Sequence, residues 1–361
     1  MVLCTTSFIR KVADTIPEGT QVVAFIDEAA ACQDAQVARV GAIRNLSAVF
    51  WLGDKLQCRP FSQRAPPARP SLFEVVKAQR HTLSIQYRCD PFICRAWSVF
   101  YKEVGVAVHT ADGVHGDAPE RKFPPLVFLD THDRAEGHIR LVGERKYSNL
   151  AVACLAKQAV SELRIAHPEW SLAMCCFYND QVANILVSFA PEGVPSTVSV
   201  DTVDGYQGLE YDCIVLACGV WQHGSLSGQA NWEDPRRINV LLSRARKQVV
   251  VLASSKIMVC SPWWRRVFCA SPWVRADAGP GSSVKLQDAL KCLRRHDTFL
   301  ACVDCCRGTD RALPSWCFSS KVLKKIQAAQ RDAKAFQNLC LCVLCNAVQE
   351  KHNDMSKRKI R

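Results

Sequence analysis

The chain has 361 residues, of which 48% are hydrophobic, and this is enough to bury the core of a globular protein with two or three domains. Its 46 Lys and Arg residues exceed its 34 Asp and Glu residues, and the formal charge of +12 favours a polyanionic partner or an acidic surface. The sequence contains no run of about 18 apolar residues, which argues against a membrane-spanning helix.

Twenty cysteines would be typical of a disulfide scaffold if the chain were short and secreted. The first ten residues, however, lack the charged region and long apolar run of a secretory signal. We therefore expect a cytoplasmic or nuclear protein that is not secreted. In that reducing environment most of the thiols should be free, small, hydrophobic core residues.

Short β-branched runs alternate with helical stretches in chain order. The runs predicted as strands are 22–26, 48–52, 126–129, 172–177, 197–200, 213–217 and 249–253. Helices are predicted between some of them, at 148–165 and 236–245. The alternation predicts an α/β fold with parallel sheets covered on both faces, in which the chemistry lies at the carboxyl ends of the strands.

Two breaks in composition divide the chain. Residues 64–70 are rich in proline and arginine, which resist helix formation, and residues 276–284 are rich in small residues. We predict domains at 1–63 and 71–275, followed by a basic, cysteine-rich tail at 285–361. This tail holds 16 basic and seven acidic residues, and therefore nine of the 12 net positive charges.

Two adjacent carboxylates, Asp27 and Glu28, follow the first predicted strand. In a nucleotide hydrolase, the first carboxylate of such a pair holds Mg²⁺, usually through water, and the second orients and deprotonates the attacking water. A solvated loop gives the same pattern, so the pair alone is a weak signal.

Two further segments offer groups that suit nucleotide chemistry. Gln57 follows a strand and a glycine turn, and its amide can sense a terminal phosphate, although an ordinary turn is the alternative. Tyr87 offers a ring that can stack on a base, and Arg88 a guanidinium that can neutralise a transferring phosphoryl group. A buried tyrosine beside a salt-bridged arginine is the alternative for that pair.

The strongest single string is D-T-V-D-G-Y-Q-G-L-E-Y-D at 201–212, and R-R-I-N-V-L-L-S-R-A-R follows at 236–246. Arg237 and Arg244 are seven residues apart, so a helix would place them on one face. A solvated basic face explains those two arginines equally well.

In their order and spacing, these five segments resemble motifs II to VI of superfamily 1 helicases, in the subgroup that includes the nonsense-mediated-decay helicase and senataxin. Tyr178 to Gln181 also resembles the Y-N-x-Q segment of that family. The resemblance covers about residues 2–267. It implies RecA-like parallel sheets, in a partial first domain and a complete second one, with ATP in the cleft between them. The C-terminal region would be small and helical.

The resemblance also implies roles for individual residues. Asp27 would bind Mg²⁺, Glu28 would be the catalytic base, and Gln57 would couple the phosphate to the nucleic acid. Arg88 and Arg244 would contact the γ-phosphate of ATP from the second domain.

The remaining roles concern the nucleotide and the nucleic acid. Gln86 and Tyr87 would lie near the base of the nucleotide. Gly208 and Glu210 would also lie at the nucleotide, where Glu210 would accept a hydrogen bond from the ribose. Thr202 would lie near the backbone of a single-stranded RNA or DNA partner. The sequence does not indicate which proteins, if any, bind this chain.

The chain departs from the family pattern before Asp27, where nothing resembles the phosphate-binding loop G-x-x-x-x-G-K-[ST]. No Gly-Lys-Thr or Gly-Lys-Ser occurs anywhere in the sequence. We therefore expect the chain to begin inside the first RecA-like domain and to hydrolyse ATP poorly or not at all by itself. Smaller departures are Cys58 for leucine, Cys89-Asp90 for Met-His and Val152 for glutamate.

Two functions stay open at this point. One is an ATP-dependent RNA or DNA helicase or translocase, of which this chain is the C-terminal portion. The other is a catalytically inactive, helicase-like protein that binds nucleic acid or acts as a scaffold, which the missing phosphate-binding loop favours. An unrelated nucleotide-binding α/β enzyme would require the whole motif series to be a coincidence.

Two cysteine pairs in the tail have the spacing of metal ligands. Cys302 and Cys305 form one C-x-x-C pair, and Cys342 and Cys345 form the other. Four thiolates are a chemically reasonable Zn²⁺ site. The alternative is a set of surplus thiols in a helical appendage, because cysteine is frequent elsewhere in this chain.

Overall fold

The computed structural model contains two compact units. The first comprises residues 1–83 and 235–240, and the second comprises residues 84–234 and 241–361. The structure describes residues 4–6, 8–33, 36, 38–60, 72–75, 78–114, 124–131, 148–190, 192–220, 230–258, 260–271, 273–277, 299–300 and 313–314.

The described residues form α-helices of four to 17 residues and strands of two to nine residues. The helices are α1 (Ile9–Ala13), α2 (Leu72–Val75), α3 (Pro91–Lys102), α4 (Leu150–Ala166), α5 (Asn179–Ser188), α6 (Pro235–Ser243), α7 (Ser255–Met258) and α8 (Pro262–Ala270). The strands are β1 (Val22–Ile26), β2 (Leu46–Trp51), β3 (Ile85–Gln86), β4 (His109–Thr110), β5 (Leu126–Asp130), β6 (Leu172–Cys176), β7 (Val198–Thr202), β8 (Tyr211–Ala217), β9 (Ala245–Ala253), β10 (Val274–Asp277), β11 (Phe299–Leu300) and β12 (Leu313–Pro314).

The first unit contains a parallel pair of strands, β1 and β2. Burial alternates along β1, as expected for a sheet with one covered face. Ile26 packs on that face with Ile9 and Val40 in a small apolar core. On the other face, the rings of Phe25 and Phe50 stack with centroids 4.9 Å apart.

The second unit is built on a six-stranded sheet in the order β10-β5-β9-β8-β6-β7, in which all neighbouring strands are parallel. Every residue of β5 and of β6 is buried, because helices cover a parallel sheet on both faces and its strands are continuous apolar runs. The predicted α/β class with RecA-like parallel sheets is confirmed.

Helix α4 shows how the sequence covers this sheet. Its N-cap is Asn149, whose side chain accepts a hydrogen bond from the Val152 backbone N–H. Ala156, Val160 and Leu163 recur at helical spacing and are buried in the core cluster of the sheet. The amphipathic pattern therefore fixes which face of α4 lies against the strands.

The structure refines the predicted element bounds. The helix predicted at 236–245 ends at Ser243, because β9 begins at Ala245. Strand β10 reaches Asp277, two residues into the segment predicted as a linker. Residues 64–70 and the four tail cysteines Cys302, Cys305, Cys342 and Cys345 lie outside the described residues, so the domain boundaries and the zinc site stay predictions.

None of the described helices has the length and apolar character needed to cross a membrane.

Candidate functional site

Asp27 and Glu28 lie at the carboxyl end of β1, as predicted. Glu28 has a φ of 49°, in the left-handed region that non-glycine residues rarely adopt. Its backbone N–H donates to Oδ1 of Asp27 at 2.9 Å, and the next N–H, of Ala29, donates to the carbonyl of Leu52 at 2.8 Å. The turn is thus held in a strained conformation that costs about 1–3 kcal/mol and is typical of functional sites.

The loop after β2 lies against this acidic turn. A Cβ on Gly53 would lie 2.9 Å from the backbone nitrogen of Ala30, so only glycine allows the approach. Asp54 then organises the loop: it accepts hydrogen bonds from the Leu56 N–H at 2.9 Å and from Nε2 of Gln57 at 3.1 Å. Gln57 is therefore positioned on the same edge of the small sheet as Asp27.

Residues 236 and 239, which belong to the first unit, contact the same loop. Nε of Arg236 donates to the carbonyl of Lys55 at 3.2 Å, and Nδ2 of Asn239 donates to that of Leu56 at 2.9 Å. Arg236 also pairs with Glu74 at 3.3 Å. These contacts brace the loop that carries Gln57.

In the second unit, three predicted site residues from separate motifs form one hydrogen-bonded group. Nε of Arg88 donates to Glu210 at 2.7 Å, and Nη1 of Arg88 donates to the carbonyl of Ser243 at 3.0 Å. Arg244 follows directly and donates to the carbonyl of Leu209 at 3.2 Å. The guanidiniums of two predicted phosphate contacts thus lie around the predicted ribose acceptor.

The placement of Arg244 corrects the predicted helical face. Arg244 lies in the turn after α6 and not within the helix, so it does not share a helical face with Arg237. Its side chain is buried and donates to Oγ of Ser243 at 3.1 Å.

The sequence analysis missed three members of this group. Arg246 pairs with Glu210 at 3.3 Å and with Asp212 at 3.4 Å, and Lys247 pairs with Asp212 at 3.1 Å. Arg246 and Asp212 lie in the motif strings, but only the parallel pairing of β8 with β9 brings them together. The group has four basic and two acidic side chains and suits a multiply charged anion.

Asp212 is held in its charged form by this arrangement. Burial raises its pKa, but hydrogen bonds from Ser171 and Lys247 outweigh that effect, so that the pKa of Asp212 lies below its usual value of 3.8. Both the backbone N–H and the hydroxyl of Ser171 donate to Oδ2 of Asp212, each at 2.9 Å. Asp212 therefore anchors the basic residues at neutral pH.

The predicted site residues of the second unit lie on two opposite edges of its sheet. Glu210 precedes β8 and Arg244 precedes β9, so this group lies at the amino ends of the strands. Thr202 is the last residue of β7 and lies at the carboxyl ends. The position expected for predicted site residues, at the carboxyl ends of the strands, was therefore wrong for Glu210 and Arg244, whose roles stay predictions.

Thr202 is held by the residue before it. Oδ1 of Asp201 accepts a hydrogen bond from the Thr202 backbone N–H at 2.6 Å. A Cβ on Gly205 would lie 2.2 Å from Oδ2 of Asp201, so glycine is required for the carboxylate to sit there. Gly208 has a φ of 81°, which glycine adopts without strain and which turns the chain towards β8.

The side chain of Gln86 is hydrogen-bonded within its own loop, whereas that of Tyr87 is exposed. Nε2 of Gln86 donates to the carbonyl of Cys89 at 2.8 Å, and its Oε1 accepts from the backbone N–H groups of Arg88 and Cys89. Gln86 thus braces the loop that carries Arg88. Tyr87 is 70% exposed, and its ring is available to stack on a planar ligand.

Gln181, the last residue of the Y-N-D-Q segment, has a structural role. Its Oε1 accepts from the Asn149 N–H at 2.6 Å, and its Nε2 donates to the Asn149 carbonyl at 3.1 Å. A Cβ on Gly219 would lie 2.5 Å from Oε1 of Gln181. This fully buried amide therefore fixes the start of α4 at the carboxyl edge of the sheet.

The described residues contain no cluster of three or more His, Cys, Asp or Glu side chains that could enclose a metal ion. The carboxylate of Asp27, at the carboxyl end of β1, fits Mg²⁺, which is usually held by one or two carboxylates together with water and phosphate oxygens. Asp27 is the carboxylate that would supply this contact.

Comparison with known proteins supports the interpretation of the motifs. The sequence profile of the AAA_12 family, an AAA domain, matches residues 68–256, which are 189 of the 361 residues.

Similar curated proteins include helicases and a regulator of nonsense transcripts. Regulator of nonsense transcripts 1 of Dictyostelium discoideum is 28% identical over 209 residues, which are 54% of this chain and 15% of that protein. The ATP-dependent helicase NAM7 of Saccharomyces cerevisiae is 27% identical over 248 residues, 62% of this chain and 24% of that one. The DNA polymerase alpha-associated DNA helicase A of the same yeast is 26% identical over 154 residues, 41% of this chain and 22% of that one. The matches thus span less than a quarter of these relatives.

Proposed function

Because the chain belongs to the AAA_12 family, and with it to the superfamily 1 helicases that its motifs resemble, we propose that it forms part of an ATP-dependent translocase on single-stranded nucleic acid. In this proposal the chain supplies motifs II to VI.

The observation that carries the proposal is the group formed by Arg88, Glu210 and Arg244. These residues come from three separate motifs, and Arg88 and Glu210 are 122 residues apart in the chain. A hydrogen-bonded group with excess positive charge, beside the exposed Tyr87, has the elements that an ATP molecule needs: cations for phosphates, an acceptor for a ribose hydroxyl and a ring for a base.

In the proposed mechanism, Arg88 and Arg244 neutralise the charge that develops on the γ-phosphate, and Glu210 orients the ribose. Glu28 takes the proton of the attacking water, and Gln57 senses whether the phosphate is present. Mg²⁺, bound through Asp27, would supply further charge neutralisation. Hydrolysis and product release would then be coupled to movement along a bound strand.

The proposed nucleic-acid contact lies at the opposite edge of the second sheet, at Thr202. The hydroxyl of Thr202 suits a phosphate oxygen and does not read sequence. We therefore propose single-stranded RNA or DNA as the partner, with binding that weakens as salt increases.

Nucleotide binding tests the first part of the proposal. We expect residues 1–361 to bind a fluorescent ADP analogue weakly, and Arg88→Ala to weaken that binding by about tenfold or more, as for loss of a charged hydrogen bond. Arg164→Ala, which removes an exposed arginine on α4, is the matched control. Equal affinities for Arg88→Ala and the unchanged chain would contradict the proposed role of Arg88.

ATP hydrolysis tests the prediction from the missing phosphate-binding loop. Because the sequence lacks Gly-Lys-Thr and Gly-Lys-Ser, we expect little or no turnover by these 361 residues, with or without single-stranded nucleic acid. Robust turnover that Glu28→Gln abolishes would overturn this expectation.

The same sequence feature favours the second candidate, a catalytically inactive protein that binds nucleic acid through the helicase fold. The coding sequence upstream of Met1 distinguishes the two candidates. An in-frame G-x-x-x-x-G-K-[ST] segment there supports the translocase, and a start codon at Met1 with no such segment supports the inactive protein.

A further inference from the structure

Two helices of the second unit, α3 and α8, lie side by side and run in opposite directions. Near the end of α3, the ring of Phe100 contacts the ring of Trp263 near the start of α8, with the ring centroids 5.5 Å apart. Just after α8, the hydroxyl of Ser271 donates to the carbonyl of Phe92 near the start of α3 at 2.8 Å. The two helices are therefore packed antiparallel.

The charged side chains of these two helices are all positive. Helix α3 contains Arg95 and Lys102, helix α8 contains Arg265 and Arg266, and neither helix contains an aspartate or a glutamate. The tail at 285–361 holds nine of the 12 net positive charges, so the part of the chain before it has a net charge of only +3. Four cations on two adjacent helices are thus a local concentration of charge in a nearly neutral part of the protein.

Two of the arginines stack on aromatic rings. Cζ of Arg95 lies 5.0 Å from the ring centroid of Phe92, and Cζ of Arg266 lies 4.8 Å from that of Trp263. In both cases the ring is three residues earlier in the helix, because helical side chains point back towards the N-terminus. A guanidinium that stacks on a ring keeps the N–H groups in its own plane directed sideways, where phosphate oxygens can accept hydrogen bonds.

A carboxylate from outside the helices also reaches this surface. Glu103 directly follows α3 and pairs with Arg266 at 2.6 Å, with about half of each side chain accessible to solvent. Because water screens such an ion pair, Arg266 can exchange this partner for a phosphate at little cost. We refer to the exposed surface formed by Arg95, Lys102 and Arg266 as the α3–α8 face.

The strand order places the α3–α8 face along the sheet. Helix α8 lies in the connection from β9 to β10, both of which are parallel to β5, so it begins near the carboxyl ends of the strands. It packs on the sheet through Phe268, whose ring contacts that of Phe128 in β5, with the centroids 5.4 Å apart. Because α3 is antiparallel to α8, its last residue, Lys102, also lies towards the carboxyl ends. The α3–α8 face thus reaches the same edge of the sheet as Thr202.

We propose that the α3–α8 face is a second contact for single-stranded nucleic acid, an inference that rests on the proposed function, in which Thr202 is the first contact. Helix α3 packs against β9, which lies three positions from β7 in the sheet, or about 14 Å at the usual strand spacing. At about 3.4 Å per nucleotide, four nucleotides cover this distance. The arginines and the lysine bind phosphates and do not read sequence.

The salt dependence of oligonucleotide binding tests this inference. The logarithm of the association constant of a single strand falls with the logarithm of the salt concentration, with a slope of about −0.7 per phosphate contact. We therefore expect Arg95→Ala combined with Arg266→Ala to weaken the binding of a polythymidine strand of about 20 nucleotides and to make the slope shallower by about 1.4.

The control for this variant removes the same charge elsewhere. Arg39→Ala combined with Arg164→Ala deletes two exposed arginines that lie outside the α3–α8 face, so the slope should stay that of the unchanged chain. Equal slopes for the two double variants would overturn the inference, because only the total charge would then matter.

Glu103→Gln provides a change in the opposite direction, which a loss of folding cannot produce. It removes the carboxylate that competes with phosphate for Arg266, so we expect the oligonucleotide to bind more tightly. Glu192→Gln, in an exposed ion pair with Lys157, is the matched control and should leave the affinity unchanged. The same affinity for Glu103→Gln and the unchanged chain would contradict a phosphate contact at Arg266.

Gly205→Ala separates this inference from the proposed function. Weaker binding by Gly205→Ala, together with an unchanged slope for the variant of Arg95 and Arg266, would overturn only the second contact. Absence of oligonucleotide binding by the unchanged chain would overturn both contacts. If the variant of Arg95 and Arg266 lost affinity for a polyglutamate peptide but not for the oligonucleotide, the face would bind an acidic protein segment, and the inference would be wrong.

Discussion

Nε of Arg88 donates a 2.7 Å hydrogen bond to Glu210, which lies 122 residues further along the chain. The ion pair is partly exposed, with 37% of the Arg88 side chain and 43% of the Glu210 side chain accessible to solvent. Such pairs contribute little to stability, because water screens them. The main effect of this ion pair is therefore to orient the Arg88 side chain, and not to stabilise the fold.

Replacing Glu210 should separate these two effects. We expect Glu210→Gln to change the free energy of unfolding by less than about 1 kcal/mol and to weaken the binding of a fluorescent ADP analogue, because both the ribose acceptor and the partner of Arg88 are altered. The measurements are urea denaturation and nucleotide titration. Glu192→Gln is the control, since Glu192 forms an exposed ion pair with Lys157 at 2.8 Å. Unchanged ADP affinity for Glu210→Gln would argue against a nucleotide site at this edge.

Gly205 provides a test of the nucleic-acid edge. In Gly205→Ala the new Cβ would displace the Asp201 carboxylate, which holds the Thr202 N–H, so we expect single-stranded oligonucleotides to bind more weakly. Fluorescence anisotropy at two salt concentrations measures this, with Gly41→Ala as the control because open space surrounds Gly41. Equal affinities for both variants would place the nucleic acid away from Thr202.

The buried amide of Gln181 should be important for stability. We expect Gln181→Ala to lower the free energy of unfolding by about 2–5 kcal/mol, because it leaves the N–H and the carbonyl of Asn149 buried without these partners. Urea denaturation measures the loss. Gln158→Ala, which removes an amide bonded to Glu162 on α4 at 3.2 Å, should cost far less. Similar losses for the two variants would refute the structural role of Gln181.

Asp212 should make stability depend on pH in a predictable direction. Its pKa is lowered in the folded protein, so the carboxylate stabilises the fold above its usual, unfolded pKa of 3.8, and this contribution is lost as the pH falls through the folded value. The difference in unfolding free energy between the unchanged chain and Asp212→Asn should therefore be largest near neutral pH and shrink below about pH 4. A difference that is constant from neutral to acid pH would show that Asp212 is not shifted.

The sequence predicted the parts of the fold that depend on local pattern. Strands such as β5 and β8 are recognisable because their β-branched and apolar residues are continuous, as burial on both faces requires. The position of the acidic turn at Asp27 was predicted in the same way, because the acidic pair directly follows an apolar run that was predicted as a strand. The two-residue strands β3 and β4 were missed, because two residues are too few to show the alternation of side chains that identifies a strand.

Other features depend on register and could not be predicted from local pattern. Arg246 meets Asp212 only because Tyr211 pairs with Ala245 across β8 and β9. The turn at Arg244 was missed because only this residue separates α6 from β9, and no glycine or proline marks the break. The group of charged side chains at the amino ends of the strands thus forms only when β8 pairs with β9.

The strand order has a consequence for biosynthesis. Strand β5 lies between β9 and β10, and its Val127 pairs with Val250 of β9. A ribosome adds about 5–20 residues per second, so on the order of 10 s separate the emergence of β5 from that of its partner. During that interval the nascent chain displays an apolar strand that other chains can capture. Newly made copies should therefore depend on chaperones until the whole sheet has been translated.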